Sequence, residues 1–171
     1  QLEQAAPARR HLRLSDPVAN FFPELLPEKP SPWMLKATVR DLLRMATPID
    51  QTSHHDHTAD WAASFFQSPA SHMPGRIFRY DTSGTSTLCI LIQRITGLEL
   101  TEYLKDRLFR PAGMSEDIRC IRTNCGHDWG GSGLLCLHRD LVRFAQVCMH
   151  GGRWEGRQLI PEAYIRAATQ R

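Results

Sequence analysis

The chain has 171 residues, of which 42% are hydrophobic and 23% charged, with a formal net charge of +3. That length points to one domain, whole or partial, and that composition excludes intrinsic disorder. The excess of cations is small and the arginines are interleaved with acids, so neither nucleic acid nor an anionic membrane surface is expected as a partner. No apolar run approaches the roughly 18 residues of a membrane span; Leu88–Ile92 is the best. The opening residues do not read as a signal segment. Gln1-Leu2-Glu3-Gln4 reads as mid-helix, so further residues are expected upstream.

The five cysteines are Cys89, Cys120, Cys125, Cys136 and Cys148. Their number is odd and none is paired as Cys-x-x-Cys. Free thiols are therefore expected rather than a disulfide framework, which favours a reducing, cytoplasmic setting while leaving localisation unknown. Cys89 and Cys148 read as small core residues.

Six prolines punctuate residues 1–36 and exclude long helices and strands there. This stretch reads as a connecting segment with short turns such as 16–22. Thr38 is a good N-cap with Asp41 placed to complement the helix dipole, and the spacing predicts a short helix over 39–46, stopped by Pro48. Residues 49–58 read as a polar, His-rich loop. A helix over 60–67 turns Trp61, Phe65 and Phe66 inward. Residues 69–76 form a turn region closed by Pro74-Gly75.

The clearest helix is predicted over 83–96. Leu88, Ile92 and Ile95 form its stripe, Cys89 and Leu91 widen it, and Gly97 is its stop. A helix over 101–109 follows, with Tyr103, Leu104 and Leu108 apolar. Residues 112–133 read as irregular, ending in Gly130-Gly131-Ser132-Gly133. Another helix is predicted over 138–150, with Leu141, Phe144, Ala145 and Cys148 inward. Pro161 is expected as the first residue of a last helix. Sustained strand alternation is almost absent, so the chain is expected to be mostly α with long connections that carry function or contact something else.

Most candidate motifs have a plain structural reading. His54-His55-Asp56-His57 would share a metal only if its loop folded back on itself, and it reads as a solvated loop. Cys120, Cys125, His127 and His138 fit no standard zinc spacing. No metal site is expected. The glycine-rich run lacks the register of a nucleophile elbow and follows no strand, so it is not a phosphate loop. It reads as a tight turn, although glycine also permits close approach. Tyr80 stands just before a helix N-terminus, beside Thr82 and Ser83. It reads either as an amphipathic plug, ring in the core and hydroxyl wet, or as an acid–base group. The second role needs cationic help to lower the phenol's pKa.

Several segments occur in an order that is specific as a set. They are Leu14-Ser15-Asp16-Pro17-Val18 with Phe22-Pro23-Glu24; Ala37-Thr38-Val39-Arg40-Asp41-Leu42-Leu43; and Pro74-Gly75 leading to Phe78-Arg79-Tyr80. Ile95-Thr96-Gly97, Leu108-Phe109-Arg110-Pro111-Ala112-Gly113-Met114 and Gly131-Ser132-Gly133-Leu134 follow. Arg139-Asp140-Leu141-Val142-Arg143-Phe144 and the run Gly152–Ile160 complete the set. Over nearly its whole length the chain resembles the penicillin-recognising serine hydrolases: class C beta-lactamases, D-alanyl-D-alanine peptidases and related esterases.

The resemblance implies three catalytic elements. A Ser-x-x-Lys supplies the nucleophile and a neighbouring amine. A Tyr-x-Asn supplies a second proton-transfer group. A Lys-Thr-Gly or His-x-Gly strand lines the pocket and the oxyanion site. Tyr80 falls on the Tyr of Tyr-x-Asn and is the implied catalytic residue. Thr82 falls on the Asn and Trp129 borders the implied cleft, both as substrate-binding positions. Threonine offers a hydroxyl in place of the amide's paired donor and acceptor. Lys29, Lys36 and Lys105 are preceded at the required spacing by Leu26, Trp33 and Glu102, so the sequence holds no Ser-x-x-Lys. His150-Gly151-Gly152 is not the strand motif, because it ends a helix.

The implied fold is therefore mostly α: residues 1–171 as the central, mainly helical part of an α/β beta-lactamase-like (penicillin-binding-protein-like) domain, with most of the β-sheet outside this chain. The implied function is acyl transfer to water on a small ester or amide, with no cofactor. The chain by itself is expected to be inactive and to need the rest of its domain. The alternatives are a non-catalytic binding module of the same fold and an unrelated helical interaction domain.

Overall fold

A computed structural model describes residues 12–50 and 60–170. Its regular structure is almost all helical. Among the described residues the strands form only two short antiparallel ladders. The proline-dense stretch makes two 3-10 turns, Val18–Phe21 and Pro23–Leu25. It also makes a five-residue helix that the prolines had argued against, α1 (Pro32–Lys36). Pro32 lies in the first turn, where its missing N–H has no intrahelical partner to lose. Ser31 Oγ caps this helix by accepting from Trp33 N at 3.2 Å.

Helix α2 (Val39–Leu43) opens on a capping box. Thr38 N and Asp41 N each donate to the other residue's side chain, at 2.9 and 3.3 Å. The helix ends before the expected 46 because Met45 takes φ 55°, a left-handed conformation that leaves the helical path. Helix α3 (Trp61–Gln67) is capped by Asp60 and buries Trp61, Phe65 and Phe66, as its spacing predicts. The His-rich run 54–57 lies outside the described residues. Helix α4 (Thr82–Thr96) starts at Asp81 and ends at Gly97, whose φ of 75° is the left-handed cap expected of a glycine. Its buried face differs from the predicted stripe. Ser83, Thr87, Ile90 and Leu91 are sealed, whereas Leu88, Ile92 and Ile95 are half-buried. The sealed hydroxyls are satisfied locally, Thr87 Oγ1 donating to Ser83 O at 2.9 Å, so a polar face can enter the core.

Helix α5 (Leu100–Leu104) runs into a π-helical turn, Lys105–Phe109. The region predicted to be irregular contains a small ladder, β1 (Arg119–Cys120) paired with β2 (Leu134–Leu135). Helix α6 (His138–Met149) is followed by a hairpin, β3 (Arg153–Trp154) and β4 (Arg157–Gln158), and by α7 (Glu162–Thr169). Pro161 is the N-cap of α7 rather than its first residue.

Among the described residues two apolar clusters result. The larger joins Val18, Phe22, Met34, Leu42, Phe65, Phe66 and Leu91. The smaller joins Leu108, Phe109, Ala112, Ile118 and Val147.

Helix α6 corrects the sequence reading. It buries Asp140 and Val147, while Leu141, Phe144 and Ala145 are exposed and Cys148 is half-buried. The helix carries two seams, and the one rich in leucine and phenylalanine faces outward. With Leu134 at 52% exposure, Leu141 at 52%, Val142 at 58% and Phe144 at 41%, these side chains form an uncovered apolar surface. Surfaces of this kind drive association. The 171-residue chain alone is expected to self-associate in sedimentation velocity; a monodisperse monomer that melts cooperatively would overturn this.

Candidate active site

The segment Pro74–Asp81 delivers Tyr80 to the mouth of α4. Arg79 N donates to Met45 O at 2.8 Å, and Arg79 Nη1 donates to Asp50 O at 3.0 Å. Asp81, 3% exposed, caps α4 by accepting from Ser83 N at 2.9 Å and Ser83 Oγ at 2.5 Å. Between these anchored neighbours Tyr80 stands 67% exposed. Its ring is not in the core of the described residues. A ring kept in water buries little apolar area, so the fold gains little by placing it there.

Thr82 is the first residue of α4 and is half-buried. Its methyl group and carbonyl lie against the glycine-rich turn. A Cβ on Gly131 would stand 2.4 Å from Thr82 Cγ2 and 2.8 Å from Thr82 O, and one on Gly130 would stand 1.8 Å from Cys89 Sγ. Neither contact is sterically possible, so these glycines serve close packing of the turn onto α4. The turn thus crosses the first turns of the helix that Tyr80 precedes.

Trp129 stands at the start of that turn. Its ring meets Trp61 edge-on, with centroids 5.2 Å apart and planes at 85°. It also lines a cavity of about 420 Å³ with Leu104, Phe109, Met114, Leu141 and Phe144. This cavity is apolar and does not include Tyr80 or Thr82 in its wall. Its wall also includes the glycine-rich turn, Gly130–Gly133, so the turn that packs on α4 borders this cavity together with Leu141 and Phe144 of α6. The structure therefore joins Thr82 to the glycine-rich turn and places Trp129 partly in packing.

Other polar groups are committed to structure. Asp128, 1% exposed, accepts from Thr101 N at 2.8 Å and Thr101 Oγ1 at 2.7 Å. Glu99 accepts from Asp128 N at 2.8 Å and meets His127 Nδ1 at 3.0 Å. Asp140 accepts from Ser115 N at 2.9 Å and Leu137 N at 3.1 Å. Among the described residues no group of three His, Cys, Asp or Glu side chains is placed to hold a metal ion, and no helix is long and apolar enough to cross a membrane.

Three of the thiols are held toward the protonated form. Burial pushes the Cys89 thiol up to about 12, and nearby Cys120, Asp128 and Glu99 push the same way. Burial also raises Cys120 and Cys125. A nucleophilic cysteine needs the opposite shift.

The Asp81–Ser83 cap follows from residue types readable in the sequence, since aspartate is a favoured N-cap. Sequence reasoning missed the bond from Thr47 Oγ1 to Asp81 Oδ2, at 3.0 Å across 34 positions. No local signal marks such a contact.

Comparison with known proteins bears on the family and the fold. A family model described as "Beta-lactamase" matches residues 4–118. The 6-aminohexanoate-dimer hydrolase of Paenarthrobacter ureafaciens is 23% identical over 128 residues, 69% of this chain and 33% of that protein. A Bacillus anthracis structure provisionally designated a 6-aminohexanoate-dimer hydrolase superposes with a TM-score of 0.72 at 22% identity, over 91% of this chain and 46% of that one. The octameric penicillin-binding protein homologue from Pyrococcus abyssi superposes with a TM-score of 0.65 at 20% identity, over 91% and 42%. The chain thus spans between a third and a half of the length of these relatives. The mostly helical architecture is that of part of the beta-lactamase-like fold, and the chain belongs to the beta-lactamase family, a family of penicillin-binding-protein-like serine hydrolases.

Proposed function

We propose that the full-length protein containing this chain hydrolyses a small amide or ester through an acyl-serine intermediate, with Tyr80 as its proton-transfer group. The observation that carries this reading is the position of Tyr80. It is exposed at the N-terminus of α4, between two anchored neighbours, in a chain of this family. Serine attacks a carbonyl only if a base takes its proton, and the leaving amine or alcohol must receive one. A phenol beside a lysine can do both in turn. The nucleophile and its lysine are assigned to a Ser-x-x-Lys outside these 171 residues. Thr82 and Trp129 are assigned to the substrate side of the cleft, Thr82 through its hydroxyl and Trp129 through an apolar face.

The same proposal covers domain organisation. Residues 1–171 form the mainly helical part of one domain, and the exposed seam of α6 is covered by the rest of it. On this view the isolated chain binds no substrate productively.

Acylation tests the reading directly. The full-length protein, treated with a p-nitrophenyl ester or a fluorophosphonate, is expected to gain one covalent adduct. Mass spectrometry of the peptides should place it on the serine of a Ser-x-x-Lys. Ester turnover without such an adduct would refute the acyl-serine route. Absence of both turnover and adduct would favour the non-catalytic binding module.

A further inference from the structure

Tyr80 is too exposed to be held by its own packing, so its position must come from the backbone on either side. One short strip supplies that support. Ala46 O accepts from Gly75 N at 2.8 Å and Met45 O accepts from Arg79 N at 2.8 Å. Asp81 N donates to Met45 Sδ at 3.3 Å, and Thr47 Oγ1 donates to Asp81 Oδ2 at 3.0 Å. The strip thus touches the start of the Gly75–Asp81 segment and both residues that flank Tyr80.

The strip is itself fixed. Met45 holds φ 55°, a conformation that persists only where the surroundings over-determine it. The end of α2 supplies those surroundings: Met45 N donates to Leu42 O at 3.1 Å and Ala46 N to Asp41 O at 2.8 Å. Thr47 is 1% exposed and Asp81 3%. Their bond is therefore shielded from water, where a charge-assisted hydrogen bond is strong and directional. Asp81 uses Oδ1 to cap α4 through Ser83 and Oδ2 to reach Thr47. One carboxylate ties the helix that follows Tyr80 to the strip that holds the segment before it.

We infer that Thr47, acting through the buried Asp81 carboxylate, is a positioning residue that sets where the Tyr80 hydroxyl stands. The inference rests on the proposed role of Tyr80. It needs no contact between Thr47 and substrate. A displacement of about 1 Å at a reacting group can cost on the order of 10²-fold in rate, so loss of the bond should appear in turnover.

The test uses the full-length protein and a p-nitrophenyl ester that it hydrolyses. Thr47→Val keeps the shape and removes the donor. It is expected to lower kcat about 10- to 100-fold with KM little changed, and Thr47→Ser, which restores a hydroxyl, should recover most of the rate. Val147→Ala, in the other apolar cluster, should lower the melting temperature and leave kcat unchanged. That control separates positioning from general loss of stability. Should Thr47→Val fail to fold, Thr47→Ala replaces it, because it removes the same donor with a smaller side chain; the same fall in kcat is expected.

A wild-type kcat in the folded Thr47→Val or Thr47→Ala protein overturns the inference, as does a fall matched by Val147→Ala at equal loss of stability. If Tyr80→Phe is impaired while Thr47→Val is not, only the positioning role is lost. If Tyr80→Phe itself turns over normally, the role of Tyr80 and the inference fall together.

Discussion

Tyr80→Phe in the full-length protein is expected to lower kcat by about 10²–10⁴-fold, the range for loss of a general acid–base group. The substitution removes one hydroxyl from a side chain that is 67% exposed. The folded state loses little with it, so the melting temperature should stay close to wild type. KM should change far less than kcat, because the hydroxyl acts on protons in flight rather than on bound substrate. The chemistry also sets the direction of the pH effect. With the phenol gone, whichever limb of the pH–rate profile reports its ionisation should flatten. Near-wild-type turnover on the best ester or amide substrate would show that Tyr80 is not the proton-transfer group.

Phe22→Ala should instead act on stability. Phe22 is 0% exposed, and its ring lies 5.1 Å from that of Phe66. The Arg94 guanidinium sits over its other side at 4.4 Å, with Arg94 also donating to Phe21 O at 2.9 Å and pairing with Glu24 at 2.5 Å. Removing the ring leaves a cavity and frees the guanidinium stack. Phenylalanine-to-alanine changes in cores cost about 3–5 kcal/mol. In the full-length protein, which is larger than this chain, each kcal/mol shifts the melting temperature by less than about 4 °C, so the fall should stay below roughly 20 °C while clearly exceeding that of a surface control. Phe78→Ala is the matched control. Phe78 is 72% exposed, and a surface substitution of this kind is expected to stay within about 0.5 kcal/mol of wild type. Equal melting of the two variants would mean that Phe22 does not belong to a cooperative core.

These two residues show how differently information is stored along the chain. Phe22 entered the sequence reading only as part of a motif, and its burial and its partners Phe66 and Arg94 came from the tertiary structure. The helix over 61–67 was legible because a capping aspartate precedes aromatics at helical spacing. Helix α4 was legible from its length and its terminal glycine. Its buried face was not, because Ser83 and Thr87 enter the core by bonding within their own helix. Hydropathy patterns cannot see that. Helix α6 failed for a related reason. The face that packs carries Asp140 and Val147, and Asp140 enters by accepting from Ser115 N and Leu137 N, so hydropathy pointed to the other face.

The sequence by itself determined the dominance of helix, the Thr38 cap, the breaks at Gly97 and Gly151-Gly152, and the ordered motifs that mark the family. All of these depend on interactions within a few residues, where residue type nearly fixes the backbone. Tertiary structure decided the rest. It exposed the ring of Tyr80, laid Gly130 and Gly131 on α4, set Trp129 against Trp61 and closed the bond between Thr47 and Asp81. Each of these joins positions far apart in the chain. Their geometry exists only once the helices have packed, because packing and not local preference sets the distance between them.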